Sequence, residues 1–129
     1  MDEIKFYMKK ELETIDCQST VYEAAQYMEK NKIGAILATD EDEIVGIFSE
    51  TDLLRKVIAK NSDPKTVGIY LVMSRPVISM DHEALMVSAF IKMQKENIRH
   101  LGVTKDDKVI GIVSIRDVAT YYVGKFSNK

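Results

Sequence analysis

The chain has 129 residues, 46% of them hydrophobic and 29% charged, with a net charge of −2 and a single cysteine, Cys17. That length fits one domain, and that composition excludes a disordered tail. The charge excludes a global basic field for nucleic acid or an anionic membrane, and one cysteine excludes an internal disulfide or a thiolate metal cage. No apolar run approaches the roughly 20 residues that span a bilayer, and the first residues lack a signal-peptide core. The expected setting is soluble and cytoplasmic.

Taken in chain order, Leu12 to Ile15 reads as a short extended piece. Thr20 and Glu23 have the spacing of a capping box, and Val21, Ala24, Ala25 and Met28 follow at helical spacing. Ile33 to Thr39 reads as a buried strand, the acidic run from Asp40 to Glu43 as a turn, and Ile44 to Phe48 as the return strand of a hairpin. A helix carrying Leu53, Leu54, Val57 and Ile58 starts near Ser49. Asn61, Ser62, Asp63 and Pro64 break the chain. The plan then repeats: Val77 to Met80 is extended, and Leu85, Ala89, Phe90 and Met93 stripe a helix. Ile98 to Thr104 and Val109 to Val113 form a second hairpin. A last helix starts near Ser114 and carries Val118, Ala119, Tyr121 and Tyr122.

The repetition is in the residues as well as the pattern. Gly46-Ile47-Phe48-Ser49-Glu50-Thr51-Asp52-Leu53 returns 65 residues later as Gly111-Ile112-Val113-Ser114-Ile115-Arg116-Asp117-Val118. The register holds back to Met8 and Met73, through identities such as Asp16/Asp81, Ala24/Ala89, Met28/Met93 and Thr39/Thr104. Two copies of one supersecondary unit are expected to share a core, because each half, at roughly 60 residues, buries too little surface alone. The repeats are 1–66 and 67–129, folding as one module.

Two Ser-x-x-Asp motifs are the first candidates for chemistry. Ser49 with Asp52, and Ser114 with Asp117, open a helix in each repeat. Such a pair caps a helix by satisfying free amides and favouring the positive end of its dipole. A helix start behind a strand also suits a phosphate, and an Asp there can accept from a ribose diol. Both readings stand. Arg99 and His100 begin a strand where the first repeat has Gly34 and Ala35; they either straddle the strand without a role or donate to a phosphate, with Gly34 and Ala35 leaving room for a flat base. His82 and Cys17 hold equivalent turn positions, and two ligands do not make a metal site. No activated nucleophile, P-loop or tuned acid–base pair is present, and the acidic turn lacks the length and glycine of a calcium loop.

A Gly-hydrophobic-x-Ser-x-x-Asp-hydrophobic motif ending a βαββα repeat, twice over, resembles a tandem pair of cystathionine β-synthase (CBS) domains. Val72-Met73-Ser74-Arg75-Pro76-Val77 resembles the entry to such a repeat, and Ile98-Arg99-His100-Leu101 its second strand. The resemblance covers about Met8 to Tyr122. It implies an α/β (α+β) fold: two βαββα repeats packed by a pseudo-twofold into one Bateman-type module, with clefts between them for AMP, ADP, ATP or S-adenosylmethionine. By that pattern Asp52 and Asp117 bind ribose, while Ser49, Thr51, Ser114 and Arg116 face phosphate. One cleft would take base-contacting backbone from Leu12, Glu13, Gly34 and Ala35 with Asp117; the other would use Val77, Ile78, Arg99 and His100 with Asp52. The first repeat departs from the family pattern at Glu11-Leu12-Glu13 and at Gly34-Ala35.

The resulting expectation is a stand-alone regulatory module that senses an adenosyl ligand, requires no cofactor, is not an enzyme and works on itself or on a protein partner. The alternative is a non-catalytic interaction or dimerisation scaffold whose clefts are vestigial. The apolar residues on the second and last helices, with Tyr121, Tyr122 and Phe126, lead us to expect a homodimer. With Arg99 and His100 near it, Asp52 is expected to matter more for nucleotide binding than Asp117, beside which Glu13 disfavours phosphate.

Overall fold

Short apolar runs separated by acidic turns make two three-stranded sheets, here in a computed structural model that describes residues 1–127. In the first, β1 (Thr14–Asp16) lies parallel to β2 (Ala35–Asp40). A parallel pair needs a crossover, and α1 (Val21–Asn31) supplies it. Its N-cap is the expected capping box: Thr20 Oγ1 accepts from the Glu23 amide, and Glu23 accepts from the Thr20 amide at 2.9 Å. β3 (Glu43–Ser49) then returns antiparallel to β2. The turn between them holds Glu41 and Asp42 at φ 50° and 67°, the two left-handed residues that let a two-residue hairpin follow the strand twist.

After β3 comes α2 (Glu50–Asp52), which widens into a π-helix over Leu53–Ile58. Amides here reach back five residues, from Ala59 to the Leu54 carbonyl at 2.8 Å and from Ser62 to that of Val57 at 3.0 Å. An ordinary helix was the expectation from Leu53, Leu54, Val57 and Ile58. Val57 is buried and Leu53 packs against the core, while Leu54 and Ile58 are 60% and 54% exposed.

The second sheet has the same order: β4 (Ser79–Asp81), α3 (Met86–Glu96), β5 (His100–Lys105) and β6 (Lys108–Ser114), with β4 parallel and β6 antiparallel to β5. Asp106 and Asp107 form its left-handed turn. α4 (Ile115–Ser127) follows as a regular α-helix. Leu85, expected on the buried stripe of α3, is instead its N-cap, exposed and without a side-chain cap bond; Met86, Ala89 and Met93 are the buried face. The helix therefore starts one residue later than the apolar spacing suggests.

The packed bodies divide the chain elsewhere than at residues 66/67. One compact unit is Glu13–Val77; the other joins Met1–Leu12 to the chain from Ile78 onward. The reason is a pair of leading segments. In the first unit the 3-10 turn Ile69–Leu71 buries Ile69, and Ser74 exchanges backbone bonds with Ile47 at 2.8 and 2.9 Å. In the second unit Ile4–Phe6 buries Ile4, and Lys9 exchanges bonds with Ile112 at 2.8 and 3.1 Å. The motif glycines permit this approach. A Cβ on Gly46 would lie 2.7 Å from Met73 Sδ, and one on Gly111 would lie 2.9 Å from the Lys9 carbonyl.

Each unit has its own core. Val21, Ala24, Met28, Ile36, Phe48, Val57 and Ile69 cluster in the first; Ile4, Met86, Ala89, Met93, Leu101, Val113 and Tyr121 cluster in the second. Phe48 and Val113 occupy equivalent positions, so the two cores are filled differently at one point in the repeat.

Candidate functional site

In each unit the sheet topology collects the sequence candidates at one end. β3 runs opposite to β2, so its last residue meets the first of β2: Ala35 pairs with Ser49, and His100 with Ser114. The carbonyls just before those strands accept the first helical amides, Gly34 from Glu50 at 3.0 Å and Arg99 from Ile115 at 2.8 Å. These bonds fix the helix start and occupy the two backbone acceptors. The Glu13 carbonyl accepts from the Leu37 amide at 3.0 Å and the Ile78 carbonyl from Gly102 at 2.9 Å, which sets the edge strand beside the same end. Leu12, Val77, Ile78 and His100 are half-buried, and Thr51, Arg99 and Arg116 are exposed. The Glu13 carboxylate accepts from the Tyr27 hydroxyl, which pushes the tyrosine's pKa up.

Both Ser-x-x-Asp motifs are capping boxes. Ser49 donates to Asp52 Oδ2 from its amide at 3.0 Å and its hydroxyl at 3.1 Å, and the Asp52 amide donates back to Ser49 Oγ. Ser114 and Asp117 repeat this at 2.8, 3.0 and 3.2 Å. The carboxylate thus spends one oxygen on the cap in either unit.

The second oxygen separates them. Asp52 is buried, and its Oδ1 meets the Lys56 ammonium at 2.8 Å and the Ser74 hydroxyl at 3.0 Å. Lys56 also donates to the Val72 carbonyl at 3.1 Å and reaches Ser74 Oγ at 3.4 Å. Asp117 is half-buried, and among the described residues none donates to its Oδ1. The equivalents of Lys56, Val72 and Ser74 are Tyr121, Tyr7 and Lys9. Tyr121 is turned into the core, where its ring meets Tyr7 at 5.0 Å and its hydroxyl donates to Asp2 at 2.7 Å.

Neither Lys56 nor Ser74 was singled out from the sequence. Lys56 carried a readable signal, an acid and a lysine four apart on a helix. Ser74 did not, because its contact with Asp52 spans 22 residues and exists only once the leading segment has packed.

The other titratable candidates are bound into the framework. Cys17 is buried, which pushes its thiol pKa up. The ring of His82 lies between Asp81 at 3.5 Å and Glu83 at 3.3 Å. Among the described residues no three His, Cys, Asp or Glu side chains converge on a possible metal position. No helix among them is long and apolar enough to cross a membrane.

Duplicated βαββα units, each ending its sheet in a Ser-x-x-Asp helix start, define the class of tandem-repeat α/β modules. The CBS domain model matches residues 2–59 and again 66–124, and the chain belongs to the CBS domain family. An uncharacterized protein of Methanopyrus kandleri is 35% identical over 101 residues, and a mitochondrial CBS domain-containing protein of Arabidopsis thaliana 34% over 104. Each match takes 77% of this chain, which spans about half the length of those relatives, 52% and 50%. Among solved structures, a protein with CBS domains from Burkholderia ambifaria superposes with a TM-score of 0.86 at 29% identity, covering 89% of this chain and 85% of that one. A CBS domain pair in complex with 5′-methylthioadenosine and S-adenosyl-L-methionine superposes with a TM-score of 0.85 at 30% identity, covering 95% and 97%.

Proposed function

We propose that this chain is a regulatory, non-catalytic module that binds an adenosyl ligand, with Asp117 accepting from the ribose diol. The observation that carries this is the Asp117 carboxylate: one oxygen is fixed by the α4 cap, and the other takes no bond from any described residue. A carboxylate oriented in this way suits two adjacent hydroxyl donors. The adenosyl compounds held by a similar CBS pair support the class of ligand. AMP, ADP, ATP and S-adenosylmethionine are the candidates. Ser114 and Arg116 are the proposed phosphate-side groups. Leu12, Glu13, Gly34 and Ala35 are proposed to line the base of the ligand held by Asp117, their backbones setting its fit; Val77, Ile78, Arg99 and His100 are the corresponding set for the Asp52 cleft. Calorimetry with the four compounds tests the reading; no heat and no rise in melting temperature with any of them rejects it.

The Asp52 motif favours a second reading for its own half of the chain. Its carboxylate is saturated by protein donors, so we assign Ser49 and Asp52 to the framework rather than to ligand, which leaves the exposed Thr51 without a ligand to face. This reverses the weight that Arg99 and His100 suggested from sequence, because the Lys56 ammonium already meets the Asp52 carboxylate at 2.8 Å. We further propose a homodimer of about 29 kDa, twice the 14.7 kDa chain, working in the cytoplasm. Light scattering at tens of micromolar that gives a monomer rejects the dimer.

A further inference from the structure

We infer that Lys56 is the built-in occupant of the Asp52 site: its ammonium shuts that site and sets the stoichiometry of the module at one adenosyl ligand per chain. This rests on the reading that Asp117 binds ribose. A carboxylate that recognises a diol must offer an oxygen with no stronger donor on it. Asp52 offers none. Oδ2 belongs to the Ser49 cap, and Oδ1 is held by an ammonium at 2.8 Å and a hydroxyl at 3.0 Å. The ammonium brings a full opposite charge to the carboxylate, which a neutral ribose hydroxyl lacks, and with the Ser74 hydroxyl it fills the positions on Oδ1 that a diol would use.

Lys56 is itself fixed, by the Val72 carbonyl and by Ser74 Oγ. Those two groups arrive on the leading segment that also bridges Ile47. The lock therefore involves three parts of one unit: the cap, the π-helix and the segment packed on Gly46. In the other unit the repeat substitutes Tyr121 for the lysine and Lys9 for the serine, and Tyr121 is committed to Asp2 and the core. One motif is closed and its copy is open, through two side-chain exchanges.

The test counts ligands by calorimetry with AMP, ADP, ATP and S-adenosylmethionine. Wild type is expected to bind one per chain. Asp117→Asn should weaken this at least tenfold, and Asp52→Asn should leave it within twofold. Lys56→Met should bind two per chain, and adding Asp52→Asn to it should remove the second. Lys56→Gln, which keeps a donor for Val72 without the charge, is the companion should the methionine variant fail to fold. If neither lysine variant folds, the response of the wild-type chain to Asp52→Asn decides.

Two ligands per wild-type chain, loss of binding in Asp52→Asn, or a single ligand in folded Lys56→Met and Lys56→Gln overturns the assignment. The last result, with binding still lost in Asp117→Asn, leaves the proposed function intact. Wild type binding nothing while Lys56→Met binds one, lost on adding Asp52→Asn, does the reverse: it removes Asp117 as the ribose acid and keeps Lys56 as the occupant. No binding in any variant removes both.

Discussion

The unit holding Asp52 and the unit holding Asp117 are built from one plan, yet differ where a ligand would be read. The same cap, the same register and the same leading-segment bridge recur in each. What differs is the environment of one carboxylate oxygen, donated to by Lys56 and Ser74 in one unit and by no described residue in the other. A motif that recurs in sequence therefore fixes a helix start twice without fixing the surroundings of its acid twice. Capping uses one oxygen; recognition depends on what surrounds the other.

The largest expected effect tests the two cores. Phe48 and Val113 are equivalent and fully buried. Phe48→Ala should cost about 3–5 kcal/mol through lost burial and the cavity left behind. Val113→Ala removes less apolar volume and should cost about 2 kcal/mol. Urea unfolding of both variants checks this; equal losses would show that the cores do not differ at this position in the way their side-chain sizes imply.

Ligand affinity comes next. Asp117→Asn should weaken the adenosyl ligand by about 1.5–3 kcal/mol, the scale of a hydrogen bond to a charged group, while its melting temperature stays near that of wild type. Calorimetry paired with a thermal melt separates the two. A fall in melting temperature with unchanged affinity would make Asp117 a cap and nothing more.

A smaller contrast lies at the start of α1 and α3. Thr20 caps α1, and its equivalent Leu85 leaves α3 uncapped by any side chain. Thr20→Ala should cost about 1 kcal/mol. Leu85→Ser should stabilise by less than about 1 kcal/mol, since it supplies the missing acceptor at an exposed position. Denaturant midpoints read both, and the opposite signs are the point of the comparison.

The smallest effect is on pH dependence. Asp2 accepts from the Tyr121 hydroxyl and from Lys125 at 2.9 Å, and these bonds lower its pKa, the Tyr121 bond most. A lowered carboxylate contributes stability that is present above its unfolded value and is lost as pH falls through the folded one. The equivalent residue in the other unit is Val67, which does not titrate. Asp2→Asn should flatten the acid side of the stability profile below the ordinary carboxylate range. Because the pair is half exposed, the change should be slight. An unaltered profile would mean that solvent screens the group completely.

Much of this protein was legible from its residues. The 65-residue repeat, the capping box at Thr20, both hairpins and the two Ser-x-x-Asp helix starts follow from local rules. Each depends on contacts a few residues apart: a side chain reaching a nearby amide, or an alternation that fits a pleated strand. The resemblance to CBS domains rested on those motifs, and the match of both repeats supports it. Local rules failed by small shifts where an apolar residue could serve either a stripe or a cap, as at Leu85. They also gave an ordinary helix where Leu53–Ile58 is a π-helix.

Only the tertiary structure decided which segments share a core and which carboxylate is spent. Met1–Leu12 packs in the unit of the second sheet, a placement that no window of sequence contains. Ser74 reaches Asp52 because the Ile69–Ser74 segment packs on Gly46, where a side chain larger than hydrogen would collide with Met73 and the Ser74 carbonyl. The repeated motif specifies a helix start because a cap needs only neighbours. It does not specify the free valence of the acid, because that is set by side chains brought in from elsewhere in the chain.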